Sequence, residues 1–199
     1  MLIRNEQKDD AGRISQIHYA AFNGHPMHAP GAEPFEHLIV EYLRAFDALT
    51  LSLLAEEDGE AVGHIAISPA IVGKDSEGWF LLGPVGVLPD RQKSGVGSAL
   101  IREALQLMQE MGAKGIVLVG SPEYYNRFGF KSLSGLTYSG VPDQFVLGLS
   151  FTENAPQGEI IAHEAFTRQH SCTKPEREVS ESPRGMRHYL SVSRSLRSR

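Results

Sequence analysis

The chain has 199 residues, 41% hydrophobic and 22% charged, with a net charge of −5 and a single cysteine, Cys172. That is enough apolar material for the core of one globular domain and too little cysteine for a disulfide framework, and the charge balance calls for neither nucleic acid nor an anionic membrane as a partner. No stretch approaches the ~20 apolar residues of a membrane span, and the N-terminus lacks a signal-peptide core, so a cytoplasmic protein is expected.

In chain order, "DDAGRISQIHYAAF" predicts a helix with Asp9 or Asp10 at its N-cap and Ile14, Ile17, His18 and Ala21 on one face. "EPFEHLIVEYLRAF" predicts a second, with Leu38, Tyr42, Leu43 and Phe46 as its stripe. The Gly- and Pro-rich "NGHPMHAPGAEP" between them reads as a loop. "LTLSLLAEE" and "AVGHIAISPAIV" read as strands joined by a tight turn at Asp58-Gly59, and "WFLLGPVGVL" as a third strand after the loop "GKDSEG". A helix from about Gly95 to Met111 carries Leu100, Ile101, Leu105 and Met108 and stops at Gly112. "GIVLVGS" is a buried strand, "PEYYNRFG" a short helix and "QFVLGLSF" a closing strand.

Charge divides the chain. Residues 167–199 carry eight basic and three acidic residues, a net +5, which leaves 11 basic and 21 acidic, a net −10, for residues 1–166. The Ser/Arg-rich tail is too poor in apolar residues for a core, so it is expected to be a disordered or marginally helical extension of a domain spanning 1–166.

The stretch "VGVLPDRQKSGVGSALI", residues 85–101, puts two glycines where a helix begins. A helix start exposes unpaired backbone N–H groups, and glycine lets an anion come close to them, so Gln92 to Gly97 reads as a phosphate cradle. A dinucleotide fingerprint would need glycine at Leu100, and a Walker loop would need glycine at Gln92. What remains is Gln-x-x-Gly-x-Gly over Gln92, Gly95 and Gly97, with Arg91 and Lys93 as neighbouring cations.

This pattern resembles the coenzyme A-binding motif of the GNAT superfamily, the Gcn5-related N-acetyltransferases, and more closely its YhbS-like branch. "LSLLAEEDGEAVGHIAIS" resembles the second and third strands of that fold, "GAKGIVLVGSPEYYNRFGF" its fifth strand and Tyr-x-x-x-Gly-Phe segment, and "GEIIAHEAF" the ending of the branch. The resemblance implies an α/β fold: a mixed, mostly antiparallel central sheet of about six to seven strands flanked by about four helices. It implies acetyl-CoA as co-substrate, with the pyrophosphate on the amides of Gln92, Lys93, Ser94, Gly95, Val96, Gly97 and Ser98. The pantetheine arm would pair with the backbone of Val85, Gly86 and Val87, where Pro84 and Gly86 suit a broken ladder.

By the same resemblance the reaction is acetyl transfer to the amine of a small molecule or peptide by direct attack. A backbone N–H near Val85 would hold the oxyanion and Tyr125 would protonate the thiolate, with Tyr124 facing elsewhere and Arg127 and Phe128 structural. Glu33 and Glu36 border the acceptor loop, where a carboxylate attracts a cationic amine. His64 reads as a hydrogen-bonded core residue, and no metal is implied, because His25, His28, His37 and "HEAF" lack metalloprotease spacing. The alternative is a degenerate fold that binds coenzyme A as a sensor or interaction module without turnover.

Overall fold

The computed structural model describes residues 1–26 and 28–167, so the basic tail and Cys172 lie outside the described residues. β1 (Leu2–Asn5) forms one sheet edge, antiparallel to β2 (Leu51–Glu57). Between them come α1 (Ala11–Phe22) and α2 (Glu36–Ala45). Asp10 does occupy the position before α1, but its carboxylate is taken by the Gln7 N–H at 2.7 Å and by the Arg4 guanidinium at 2.6 and 2.9 Å, not by the helix.

α2 begins at Glu36, and its buried side is Ile39, Val40 and Leu43. Leu38 and Tyr42 of the expected stripe are half-buried and Phe46 is exposed. The stripe turns because α2 packs on two surfaces at once, with Val40 against the α1 cluster and Ile39 and Leu43 against Ala165 near the end of the described chain.

β2 turns into β3 (Glu60–Val72) through Asp58 and Gly59, both left-handed at φ 52° and 82°, the conformation of a two-residue hairpin that matches strand twist. β4 (Asp75–Val87) starts earlier than "WFLLGPVGVL" suggests: Val72 pairs with Asp75, so only Gly73 and Lys74 form the turn. Pairing along β3 overrides the polar composition of "KDSEG". Glycine is required at the turn, since a Cβ on Gly73 would lie 2.2 Å from the Gln157 carbonyl oxygen.

α3 (Val96–Glu110) crosses back to β5 (Gly115–Val119), which runs parallel to β4. Its buried stripe is Val96, Leu100, Ile101, Ala104 and Met108, with Leu105 half-buried at the rim, and Gly112 follows the helix at φ 78°. α4 (Pro122–Tyr125), β6 (Lys131–Ser132), β7 (Leu136–Thr137), β8 (Val146–Ser150) and β9 (Gly158–Ala162) complete the described elements. The sheet order is β1-β2-β3-β4-β5-β8-β6, and β9 joins β3 antiparallel at Ala70–Val72 while pairing β7.

Alternation along β2 and β3 sets the two faces: Leu53, Ala55, Ile65 and Ile67 meet α3, whereas Leu54 and Ala66 meet α1. The result is a mixed, mostly antiparallel sheet with four α-helices among the described residues, the α/β fold class expected. No helix among the described residues is long and apolar enough to cross a membrane.

Candidate active site

The β4–β5 ladder holds only three residue pairs, Trp79 with Gly115, Phe80 with Ile116 and Leu81 with Val117. Beyond Leu81 the two strands part. β4 stays with β3, although its register shifts between Leu82 and Val85 around Gly83 and Pro84, while β5 stays with β8 as far as Val119. The gap lies beside the start of α3, and a cavity of about 850 Å³ occupies this end of the fold.

Of the residues singled out in the sequence, Val85, Val87, Gln92, Lys93, Gly95, Gly97, Ser98 and Tyr125 line this cavity. Gly86 faces the other way, toward α1; a Cβ there would sit 2.8 Å from Nδ1 of His18. Val96 is buried in the core beside Gly63, so only its backbone belongs to the helix start.

The loop before α3 is held by its own side chains. Gln92 Nε2 donates to the Val87 carbonyl at 3.1 Å, tying the loop to the strand end, and the Ser94 hydroxyl donates to the Arg91 carbonyl at 2.6 Å. Gly95 caps α3 at φ 100°, a left-handed conformation costly for other residues, and no atom lies within 4 Å of where its Cβ would stand. The first intrahelical bond runs from Ala99 N–H to the Gly95 carbonyl, leaving the amides of Val96, Gly97 and Ser98 at the positive end of the helix without intrahelical acceptors. Lys93 faces the cavity, but Arg91 leans toward Asp90 and Glu57, 3.5 and 4.0 Å away. The second cation on the cavity is Arg127, whose guanidinium lies 4.9 Å above the ring of Tyr124.

Both tyrosines line the cavity, against the expectation that only one would. Their rings meet edge-on, with centroids 5.0 Å apart, and each has its own glycine. A Cβ on Gly97 would lie 3.0 Å from the Tyr124 hydroxyl, and one on Gly120 would lie 2.4 Å from the Tyr125 ring. Burial, with Tyr124 beside it, pushes the Tyr125 phenol up to about 12. It therefore holds its proton across the neutral range.

The opposite wall is the end of α1 and the turn after it, Ala20 to Pro26. Neither acidic candidate of the acceptor loop lines the cavity. The Glu33 carboxylate accepts from the Tyr19 hydroxyl at 2.6 Å, and Glu36 is clipped to His28 Nε2 at 2.7 Å and the Phe35 N–H at 3.1 Å. Behind this wall His64 is buried and hydrogen-bonded, with Ser52 Oγ at 2.8 Å from its Nε2 and His18 Nε2 at 2.7 Å from its Nδ1. Burial lowers both histidines, His64 to about 3, so neither carries charge near neutrality. Sequence reading gave Arg127 a structural role and turned Tyr124 elsewhere, whereas both line the cavity, because the signal that brings them there is spatial. Among the described residues, no group of three His, Cys, Asp or Glu side chains is arranged to hold a metal ion.

Residues 14–130 match the Acetyltransferase (GNAT) family. The chain is 34% identical over 131 residues to the uncharacterized N-acetyltransferase YjhQ of Escherichia coli strain K12, covering 64% of this chain and 68% of that one. A GNAT family acetyltransferase from Brucella melitensis, solved in complex with acetyl-CoA, shares 44% identity and a TM-score of 0.72 over 83% of this chain and 97% of its own. The GNAT family N-acetyltransferase YhbS from Escherichia coli, solved in complex with CoA, shares 27% identity and a TM-score of 0.76 over 87% of this chain and 95% of its own. The family match runs from within α1 through the open strands and the glycine-capped helix to Phe130, just past the tyrosine pair, and takes in more than half of the chain. The chain therefore belongs to the Acetyltransferase (GNAT) family.

Proposed function

We propose that the protein transfers the acetyl group of acetyl-CoA to an amine of a small molecule or peptide by direct attack, with Tyr125 as the general acid. The observation that carries this reading is the single cavity that joins the free amides at the start of α3 to the β4 strand and the Tyr125 side chain. The likeness to solved relatives in complex with acetyl-CoA and CoA supports it.

The pyrophosphate is assigned to the amides from Gln92 to Ser98, with Lys93 and Arg127 offsetting its charge. The thioester arm lies along Val85, Gly86 and Val87 as an added strand, and the N–H of Val85 faces the oxygen that becomes the oxyanion. A neutral amine attacks the thioester carbon, the carbon–sulfur bond breaks, and Tyr125 gives its proton to the sulfur. The surplus proton on the new amide nitrogen replaces the one Tyr125 has lost.

Thiol release from acetyl-CoA across a panel of primary amines tests the reaction, and titration calorimetry of Gly95→Asp tests the cradle. Aspartate adds a like charge where phosphate is assigned, while Gly95→Ala carries the same backbone cost without it. At an effective dielectric of about 20, like charges about 4 Å apart repel by about 4 kcal/mol, and at this exposed turn solvent leaves only part of that. Acetyl-CoA affinity is expected to fall at least tenfold further for Asp than for Ala; equal affinities would remove the cradle assignment. Binding without thiol release for every amine would favour a sensor or interaction module instead.

A further inference from the structure

We propose that Glu6, Ser52, His64 and His18 form a proton relay whose open end, Nδ1 of His18, takes the proton from the acceptor's ammonium group through a bridging water. This rests on the acyl-transfer reading and supplies the neutral amine that the reaction needs.

The protons of the chain are fixed by its donors. The Ser52 hydroxyl donates to a Glu6 carboxylate oxygen, so Ser52 Oγ has only a lone pair left for His64 and must accept from its Nε2–H, at 2.8 Å. His64 Nδ1 is then the acceptor, and His18 Nε2 must be the donor across 2.7 Å. That leaves His18 Nδ1 as a bare lone pair, fully buried and without a partner. A buried acceptor of this kind calls for a donor.

Its surroundings say where the donor comes from. Nδ1 looks at Gly86, where a Cβ would intrude to 2.8 Å, and Gly86 lies between the cavity-lining Val85 and Val87. Ala21, also on the cavity, completes the same niche, and the ring of Phe22 stacks on His18 at 6.1 Å. The missing side chain at Gly86 thus lets the His18 ring pack against the β4 backbone, with Nδ1 one layer behind the cavity-lining Val85, Val87 and Ala21. The charged and titratable groups around the pair are His37 and Arg44 from α2 and Asp10 ahead of α1, while Arg44 Nε also binds Glu6 at 2.5 Å.

The step balances without a lasting imidazolium. The nitrogen–hydrogen bond of the ammonium breaks, and its proton passes through the water to His18 Nδ1. The Nε2 proton of His18 moves to His64 Nδ1, that of His64 Nε2 moves to Ser52 Oγ, and the hydroxyl proton of Ser52 ends on the Glu6 carboxylate. After product leaves, the reverse shift returns one proton to solvent in the cavity and restores the starting tautomers.

The test uses the full chain, acetyl-CoA and a primary amine that the wild-type protein accepts. His18→Asn is expected to lower kcat/KM about 10²-fold at pH 7, within the range of general base catalysis, with unchanged acetyl-CoA affinity by calorimetry. The defect should narrow toward pH 10, where solvent deprotonates the amine unaided. Ser52→Ala, which cuts the relay far from the cavity, should lose roughly tenfold in the same pH-dependent way, the smaller share of a base left in place but cut from its carboxylate. Ser52→Thr, which keeps the hydroxyl, should restore it. If circular dichroism shows that His18→Asn fails to fold, the Ser52 pair decides alone. A pH-independent defect, or none, overturns the relay while leaving the transferase reading intact. A wild-type protein that binds acetyl-CoA but releases no thiol with any amine overturns both.

Discussion

Tyr125 and Tyr124 are neighbours with different surroundings, and their hydroxyls can be separated by experiment. Tyr125→Phe removes one oxygen at nearly constant volume and should cut turnover about 10²–10⁴-fold with acetyl-CoA affinity near normal. Tyr124→Phe takes away the hydroxyl that sits over Gly97 and should act on affinity instead, with turnover little changed. Steady-state kinetics together with calorimetry read both, and equal effects from the two would return Tyr125 to a packing role. That Gly95 and Gly97 line the cavity was legible from two glycines at a helix start, and that Tyr125 does so from its resemblance to the family's Tyr-x-x-x-Gly-Phe segment. His64 was legible as a hydrogen-bonded core residue, but its pairing with His18 was not, since partners 46 residues apart leave each looking like a lone polar residue on an apolar face. Arg91 and Lys93 show the same limit: adjacent cations looked equivalent, and only the left-handed turn at Lys93, φ 62°, with carboxylates near Arg91, separates them.

Most helices and strands could be read from periodicity, and the misreadings occur where an element answers to more than one neighbour. α2 rotates its stripe to serve α1 on one side and Ala165 on the other. β7 and β6 hold two residues each, too short for alternation to show, and β9 was seen only as a family ending, not as a strand beside β3. The packing of α1 on β3 carries its own pH dependence. Unfolded, the two histidines titrate near 6.5, whereas in the fold burial keeps His64 neutral down to about 3 and holds His18 well below its usual value. As pH falls below about 6.5 the unfolded chain takes up protons that the fold refuses, at a cost of up to about 1.4 kcal/mol per pH unit for each histidine. The contribution is thus fully present above that pH and is lost on acidification. Urea midpoints should be lower at pH 5 than at pH 7; coincident midpoints would contradict neutral burial of the pair.

At the scale of the whole molecule, every buried residue of the described core lies at or before Ala165. A chain ending at Arg168 is expected to keep the thermal midpoint and acetyl-CoA affinity of the full chain, as calorimetry can measure; a large drop in the midpoint would move the domain boundary drawn from charge. The sheet itself is two ladders, β1 to β4 and β5 with β8 and β6, joined at three residue pairs and spread apart beyond them. What the gap offers is mainly main chain: the parted strand β4 and the unsatisfied amides of a helix start. Main-chain groups are the same whatever side chain they carry, so apart from the glycines that keep the backbone bare, such as Gly95 and Gly97, residues around the gap can change while the shape that presents those groups persists. The wall opposite, made of the α1 turn and its side chains, has no such protection, and under the acyl-transfer proposal a few substitutions there would suffice to exchange one acceptor for another. On that proposal the architecture divides inheritance in two, a donor half written in backbone and an acceptor half open to revision.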